Sequence, residues 1–219
     1  MNASGRMRLL TPLRGLDDRE LVALVLDGDR AAPTLLFDRH APHVTRVLRR
    51  MLGATGDHAD LVSEVFVRAI DRLHRLERLD DPRSLERWLT RIAVFAARER
   101  LRSERRRRWL VLFSSSDVPD LDADSWAGAG PSQLDELEAR DSVRRLFVVL
   151  DKFPIDERLV FTLRYLEEME LADVASACGV SLATCKRRLA RADARFVPLA
   201  WRDPVLRALL ERGTRWSPA

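Results

Sequence analysis

Lys186, Arg187, Arg188, Arg191 and Arg195 fall within ten positions, directly after the tripeptide Gly179-Val180-Ser181. Guanidinium and ammonium groups at this density neutralise phosphates, and an arginine can pair bidentately with a guanine edge. A second basic run, Arg102 with Arg105, Arg106, Arg107 and Arg108, lies midway along the chain. Asp57, Asp60 and Glu64 form an acidic set elsewhere. Groups able to do covalent or metal chemistry are sparse. His40 and His43 are close in sequence, but no carboxylate constellation accompanies them, and Cys178 and Cys185 lack the spacing of a four-ligand zinc site. A disulfide between these cysteines would have to cross the Gly-Val-Ser corner, so both are expected as reduced core residues. No catalytic residue, metal or cofactor is expected; the chemistry is that of binding.

The elements that must aim these side chains can be read on both sides of the corner. Leu171, Val174, Ala175 and Cys178 share one helical face; Leu182, Cys185, Leu189 and Ala192 share the inner face of the next helix. Gly179 can end the first helix in the left-handed conformation, Val180 can plug the angle, and the Ser181 hydroxyl can cap the second helix. This is a helix-turn-helix. Its outward positions are Ala183, Thr184, Lys186, Arg187, Arg188, Arg191 and Arg195. Ser181 and Thr184 approach base edges first, Arg187 and Arg188 reach bases or phosphates, and Arg191 and Arg195 suit the flanking backbone.

Helical periodicity holds along the rest of the chain, and no β-like alternation persists. A helix opens near Asp17 or Asp18; a second spans about Ala31 to Leu52, with Pro42 expected to bend or break it. A third runs from Asp57 to about Leu73. A fourth is capped by Ser84, buries Trp88, Leu89, Ile92, Ala93 and Ala96, and runs into the arginines. Residues 114–138 then carry seven carboxylates and no basic residue, amid serine, glycine and two prolines. The expected fold is all-α: two small helical domains joined by an acidic flexible linker, the second containing the helix-turn-helix. The bounds are 16–108, linker 109–136, 137–197, and a tail at 198–219 with a short helix from Asp203-Pro204. The 219 residues carry 38 Lys+Arg against 34 Asp+Glu, a net charge of +4, too small to identify a partner alone. Without an 18-residue apolar run or a signal-peptide core, the chain is expected to be cytoplasmic and not inserted in a membrane.

A helix-turn-helix alone would fit a repressor, a response-regulator output or a sigma factor. The wider pattern decides: DHADLVSEVF at 57–66, LERWLTRIA at 85–93 before an arginine-rich end, PIDERLVFTLRYL at 154–166, then the corner. In this order and spacing the chain resembles the small two-domain sigma factors of bacterial RNA polymerase, the extracytoplasmic-function type. The resemblance covers residues 18–108 and 137–197. It implies a transcription initiation factor whose partners are bacterial core RNA polymerase and promoter DNA. The first domain would bind the polymerase clamp and open the −10 region, and the second would read the −35 element. An anti-sigma factor is a further partner the resemblance allows. Asp57, Asp60, Leu61, Glu64 and Val65 take the polymerase-binding positions. Family members often carry asparagine and, four residues on, aspartate where Phe95 and Glu99 stand. Phe95 and the acidic loop Leu76 to Arg83 motivate the second reading, a regulator derived from a sigma factor without promoter-opening activity.

Overall fold

The computed structural model describes residues 15–53, 58–75, 83–112 and 133–212, and every regular element among them is helical. The helices are α1 (Asp18–Leu26), α2 (Ala32–Leu52), α3 (Ala59–Arg72), α4 (Ser84–Leu112), α5 (Gln133–Leu150), α6 (Ile155–Tyr165), α7 (Leu171–Cys178), α8 (Leu182–Ala200) and α9 (Pro204–Arg212). A 3₁₀ turn, Leu73–Arg75, extends α3. Asp57, most of the 76–83 loop and residues 113–132 of the linker lie outside the described residues. Helix α4 continues to Leu112 and α5 already begins at Gln133, so both ends of the 109–136 span are helical.

Local chemistry sets the ends of these helices. Asp17 caps α1 by accepting from the Glu20 amide at 2.8 Å, while the Glu20 carboxylate accepts from the Asp17 amide at 2.9 Å. This reciprocal box satisfies two amides that have no partner inside the helix. Of the bend or break expected at Pro42, the break does not occur: α2 is continuous from Ala32 to Leu52. Pro42 is exposed, so the carbonyl deprived of its amide faces water. Leu35, Leu36, Val44, Val47 and Leu48 are buried on both sides of it and hold the helix in place.

Two cores form, but not one per domain. The larger joins residues of α1 to α4 with Leu159, Val160 and Leu163 of α6, Val174 and Cys178 of α7, and Cys185 and Leu189 of α8. The smaller collects Leu150, Phe153, Phe161, Phe196, Leu206 and Leu210 around α5, α6, α8 and α9. Helix α6 serves both cores and buries every residue from Glu157 to Leu163. The tail is part of this packing: α9 lies on α5, capped by Asp203, which accepts from the Val205 and Leu206 amides.

Polar contacts close the seam between the two halves. Arg158 of α6, 2% exposed, donates from Nε to the Met51 carbonyl at 3.0 Å and from Nη2 to the Leu52 carbonyl at 3.1 Å. Those carbonyls end α2, where no further amide is available. The same guanidinium pairs with Asp151 and lies 5.7 Å from the Phe147 ring centre. Burial lowers the Arg158 pKa, and the neighbouring Asp151 opposes that shift. Glu167 receives Arg46 at 3.3 Å and Arg50 at 3.1 Å. Arg98 of α4 reaches Asp156 at 3.1 Å and the Cys178 carbonyl at 3.2 Å.

Candidate nucleic-acid interface

The corner between α7 and α8 has the geometry its sequence demands. Gly179 sits at φ 68°, ψ 39°, the left-handed conformation, and ends α7. Ser181 is extended and its hydroxyl accepts from the Thr184 amide at 3.2 Å. The same hydroxyl donates to Thr184 Oγ1 at 3.0 Å, so the first turn of α8 is fixed from two sides. Ala175, Cys178, Cys185 and Leu189 are buried beneath the corner. Burial pushes the Cys178 thiol up to about 12 and raises Cys185 as well, so both are neutral thiols, free of disulfide.

Most of the basic face of α8 is free. Ser181, Lys186, Arg187, Arg191 and Arg195 are exposed, and neither Lys186 nor Arg191 bonds to any described side chain. Arg187 only grazes Thr184 Oγ1 at 3.5 Å. Two residues differ from expectation. Arg188 is half-buried and held by Asp156 at 2.8 Å, which braces it against α6. Leu182, expected inside, is 44% exposed, because the first residue of α8 lies beyond the reach of α7. Arg195 pairs with Glu157 at 2.8 Å but keeps about half its side chain in solvent.

The second basic run divides in the same way. Arg105 donates to the Phe153 carbonyl and Arg108 pairs with Asp151 at 3.2 Å, so both help tie α4 to the second half. Arg102, Arg106 and Arg107 are exposed and make no hydrogen bond or ion pair with the described residues. The acidic face of α3 presents Asp60 and Glu64, with Leu61 half-buried beside them. Glu64 is bridged to Arg68 at 2.5 Å, and Arg68 continues to Glu99 at 2.8 Å. Val65 is 0% exposed and belongs to the core, so a partner docking on α3 would meet the other residues and not this one.

His40 and His43 are structural. His40 is buried against Asp18 at 3.1 Å, and His43 contacts Thr90 at 2.8 Å. Burial lowers the His43 pKa against the pull of Glu86. No group of three His, Cys, Asp or Glu among the described residues could hold a metal ion, and no described helix is long and apolar enough to cross a membrane.

The sequence assigns no contact to Asp156 and Arg158, which stand near the start of PIDERLVFTLRYL. A signal was present: Leu159, Val160, Phe161 and Leu163 are too widely spread around α6 for one buried face, so the charges among them had to enter a packed environment. The sequence likewise singles out neither Arg72 nor Arg91. With Trp88, Phe95 and Arg98 they line a cleft of about 440 Å³ between α3, α4 and the corner at 177–179.

Comparison with known proteins places these features in a family. The model for Sigma-70 region 2 matches residues 36–107, and that for Sigma-70 region 4 matches residues 144–195. The ECF RNA polymerase sigma-E factor of Escherichia coli (strain K12) is 29% identical over 182 residues, covering 81% of this chain and 91% of that protein. The sigma-E factor of Haemophilus influenzae is 28% identical over 177 residues, covering 81% and 92%. Two solved structures share the fold. CnrH, in complex with the cytosolic domain of CnrY, has a TM-score of 0.51 at 22% identity, covering 90% of this chain and 99% of that one. The sigma factor RpoE of Bartonella quintana, in complex with the anti-sigma factor NepR, has a TM-score of 0.50 at 22% identity, covering 78% and 97%.

Proposed function

The chain belongs to the bacterial sigma-70 family, among sigma factors of the extracytoplasmic-function type, and we infer from this membership that it binds core RNA polymerase and directs it to promoter DNA. The observation that carries the reading is the capped corner with its free basic helix face, inside a chain matched along both sigma regions. A regulator without initiation activity is not favoured, because region 2 is matched over residues 36–107, from within α2 through most of α4.

The division of labour is our proposal. Residues 16–108 form the polymerase-binding and −10 domain, 109–136 the linker, 137–197 the −35 domain and 198–219 a tail. Ser181, Thr184, Lys186 and Arg187 enter the major groove, with Arg188 braced beside them by Asp156. Arg191 and Arg195 take phosphates on the flank. Arg102, Arg106 and Arg107 serve phosphates near the first domain, and Arg105 and Arg108 join them once the seam contacts are released. Asp60, Leu61 and Glu64, with Asp57, offer an anionic, partly apolar face to a basic clamp surface. Nucleotide addition belongs to the polymerase, so no residue here is assigned a catalytic role. The protein works in the cytoplasm, where polymerase and promoter are, and an anti-sigma factor is a fitting regulator given the complex of RpoE with NepR.

Gel filtration with purified core polymerase followed by transcription from a genomic promoter panel tests the reading. Co-elution at micromolar concentration with promoter-dependent transcripts is expected. Absence of co-elution would remove the assignment; co-elution without transcripts would leave a polymerase-bound regulator.

A further inference from the structure

His43 of α2 sits where the first half meets the turn after α6, and its two ring nitrogens have different partners. Arg46 Nη2, which can only donate, lies 3.1 Å from Nδ1, so Nδ1 carries no proton. The Thr90 hydroxyl gives its own proton to the Glu86 carbonyl at 2.8 Å. Its oxygen, 2.8 Å from Nε2, therefore receives the ring proton. The ring is held as a single neutral tautomer. The other edge of the same Arg46 guanidinium crosses the seam, where Nε donates to Glu167 Oε2 at 3.3 Å. The Glu167 side chain is 4% exposed and meets Arg50 with its second oxygen at 3.1 Å. An unbroken polar chain thus runs from Glu86 through Thr90, His43 and Arg46 to a buried carboxylate of the second half.

A proton on Nδ1 cannot coexist with this arrangement. It would set N–H against N–H and place a second positive charge beside the guanidinium. Arg46 would have to leave the ring, and with it the orientation that aims Nε at Glu167. We propose that His43 is a proton-operated latch on the seam: protonation at Nδ1 drives Arg46 off the ring and off Glu167, and the two halves part more readily. The charged groups facing the ring are His40 and Arg46 on α2, Glu86 on α4 and Glu167 from the second half. Burial lowers the His43 pKa most; Glu86 and Glu167 raise it, and Arg46 and His40 lower it. Arg46 outweighs Glu167, so the pair assembled by closure disfavours the ring cation. The closed molecule therefore takes up the proton less readily than the open one. Closure is complete above the ordinary 6.5 and weakens as pH falls below it. One proton changes the open-to-closed ratio by at most about tenfold per pH unit. Arg50 keeps its hold on Glu167, so the latch biases the seam and does not alone dissolve it. The consequence for transcription rests on the sigma-factor reading: acid enlarges the fraction of chain ready for polymerase.

Single-molecule energy transfer on the full chain tests this, with dyes on Asp71→Cys and Arg202→Cys, one exposed position in each half; Cys178 and Cys185 are buried and stay unlabelled. Between about pH 7.5 and about pH 5.5 the low-transfer population should grow, by up to about tenfold per unit. His43→Gln keeps a neutral donor for Thr90 and an acceptor for Arg46, and should show no response to pH. His43→Lys should be open at both ends of the range. Arg46→Met keeps the aliphatic stem but removes the transmission, and should be as unresponsive as His43→Gln. Helix content by circular dichroism should stay constant. An acid response that persists in His43→Gln or Arg46→Met overturns the proposal. So does a wild type whose transfer does not change with pH, or one that opens only as helix is lost. Titration with core polymerase gives a second arm: the ratio of wild-type to His43→Gln affinity should rise with acid by the same factor as the open fraction. Polymerase that binds neither protein at any pH bears on the sigma reading alone, because the transfer measurement needs no polymerase.

Discussion

Replacing Arg158 should reveal how much of the fold hangs on one guanidinium. It makes two hydrogen bonds to the last carbonyls of α2 and an ion pair with Asp151, and its cation stands at a helix C-terminus, where the backbone dipole favours it. Hydrogen bonds from a charged donor contribute about 1.5–3 kcal/mol each. Burying the guanidinium opposes this, as its lowered pKa indicates. Removing one partner of a buried pair typically costs about 3–5 kcal/mol. Leu52 is half-buried and the Asp151 side chain 28% exposed, so water can reach part of what Arg158→Ala leaves behind. The expected loss is therefore near the lower end, about 3 kcal/mol. Arg158→Met preserves apolar volume beside Phe147 and should lose about 2 kcal/mol. Urea denaturation followed by circular dichroism and tryptophan fluorescence measures both. Losses below about 1 kcal/mol in both variants would refute the view that this residue holds the seam.

Other outcomes follow from the same structure. Gly179→Ala meets no atom within 4 Å, so its cost is conformational alone, about 1–2 kcal/mol in thermal unfolding at unchanged packing. Arg187→Ala should remove about 1–3 kcal/mol of preference for a matched over a scrambled −35 duplex in holoenzyme titrations, whereas Arg106→Ala with Arg107→Ala should weaken both duplexes alike and reduce the salt slope by up to about 2. His43 has a folded pKa below its ordinary 6.5, so the unfolded chain binds the proton first; a His43→Gln comparison should show wild-type stability falling as pH drops below about 6.5, with the variant missing that component. With the Cys178 pKa pushed up to about 12, native protein should react with thiol reagents at pH 8 only at the rate of unfolding, and denatured protein at once.

The helix-turn-helix was legible because its signals are local: a glycine at the left-handed cap, a serine one turn before the Thr184 amide, and an apolar stripe on each side. Helix positions were legible for the same reason. What could not be read was the assignment of partners across distance. Arg158, Arg105 and Arg98 look like surface charges in one dimension, and only the folded arrangement brings the Met51, Phe153 and Cys178 carbonyls to them. Arg188 illustrates the point within the site itself: its helical position faces outward by periodicity, yet Asp156 of α6 draws it down. Val65 illustrates the reverse, an apolar residue on a helix with an acidic flank whose own position is wholly internal.

The shared core also sets a limit on what the closed molecule can measure out. The promoter elements are named for positions about 25 base pairs apart, or about 85 Å along straight duplex at 3.4 Å per pair. A compact chain of this length has a radius of gyration near 17 Å, which corresponds to a body about 45 Å across. The closed molecule is thus roughly half the ruler it has to be. Touching both marks at once requires the halves to part along the line sealed by Arg158, Glu167 and Arg98. The fraction of molecules able to span a promoter is then fixed by the free energy of that line: every 1.4 kcal/mol, roughly, by which it holds in isolation lowers the ready population tenfold, until polymerase makes the difference good.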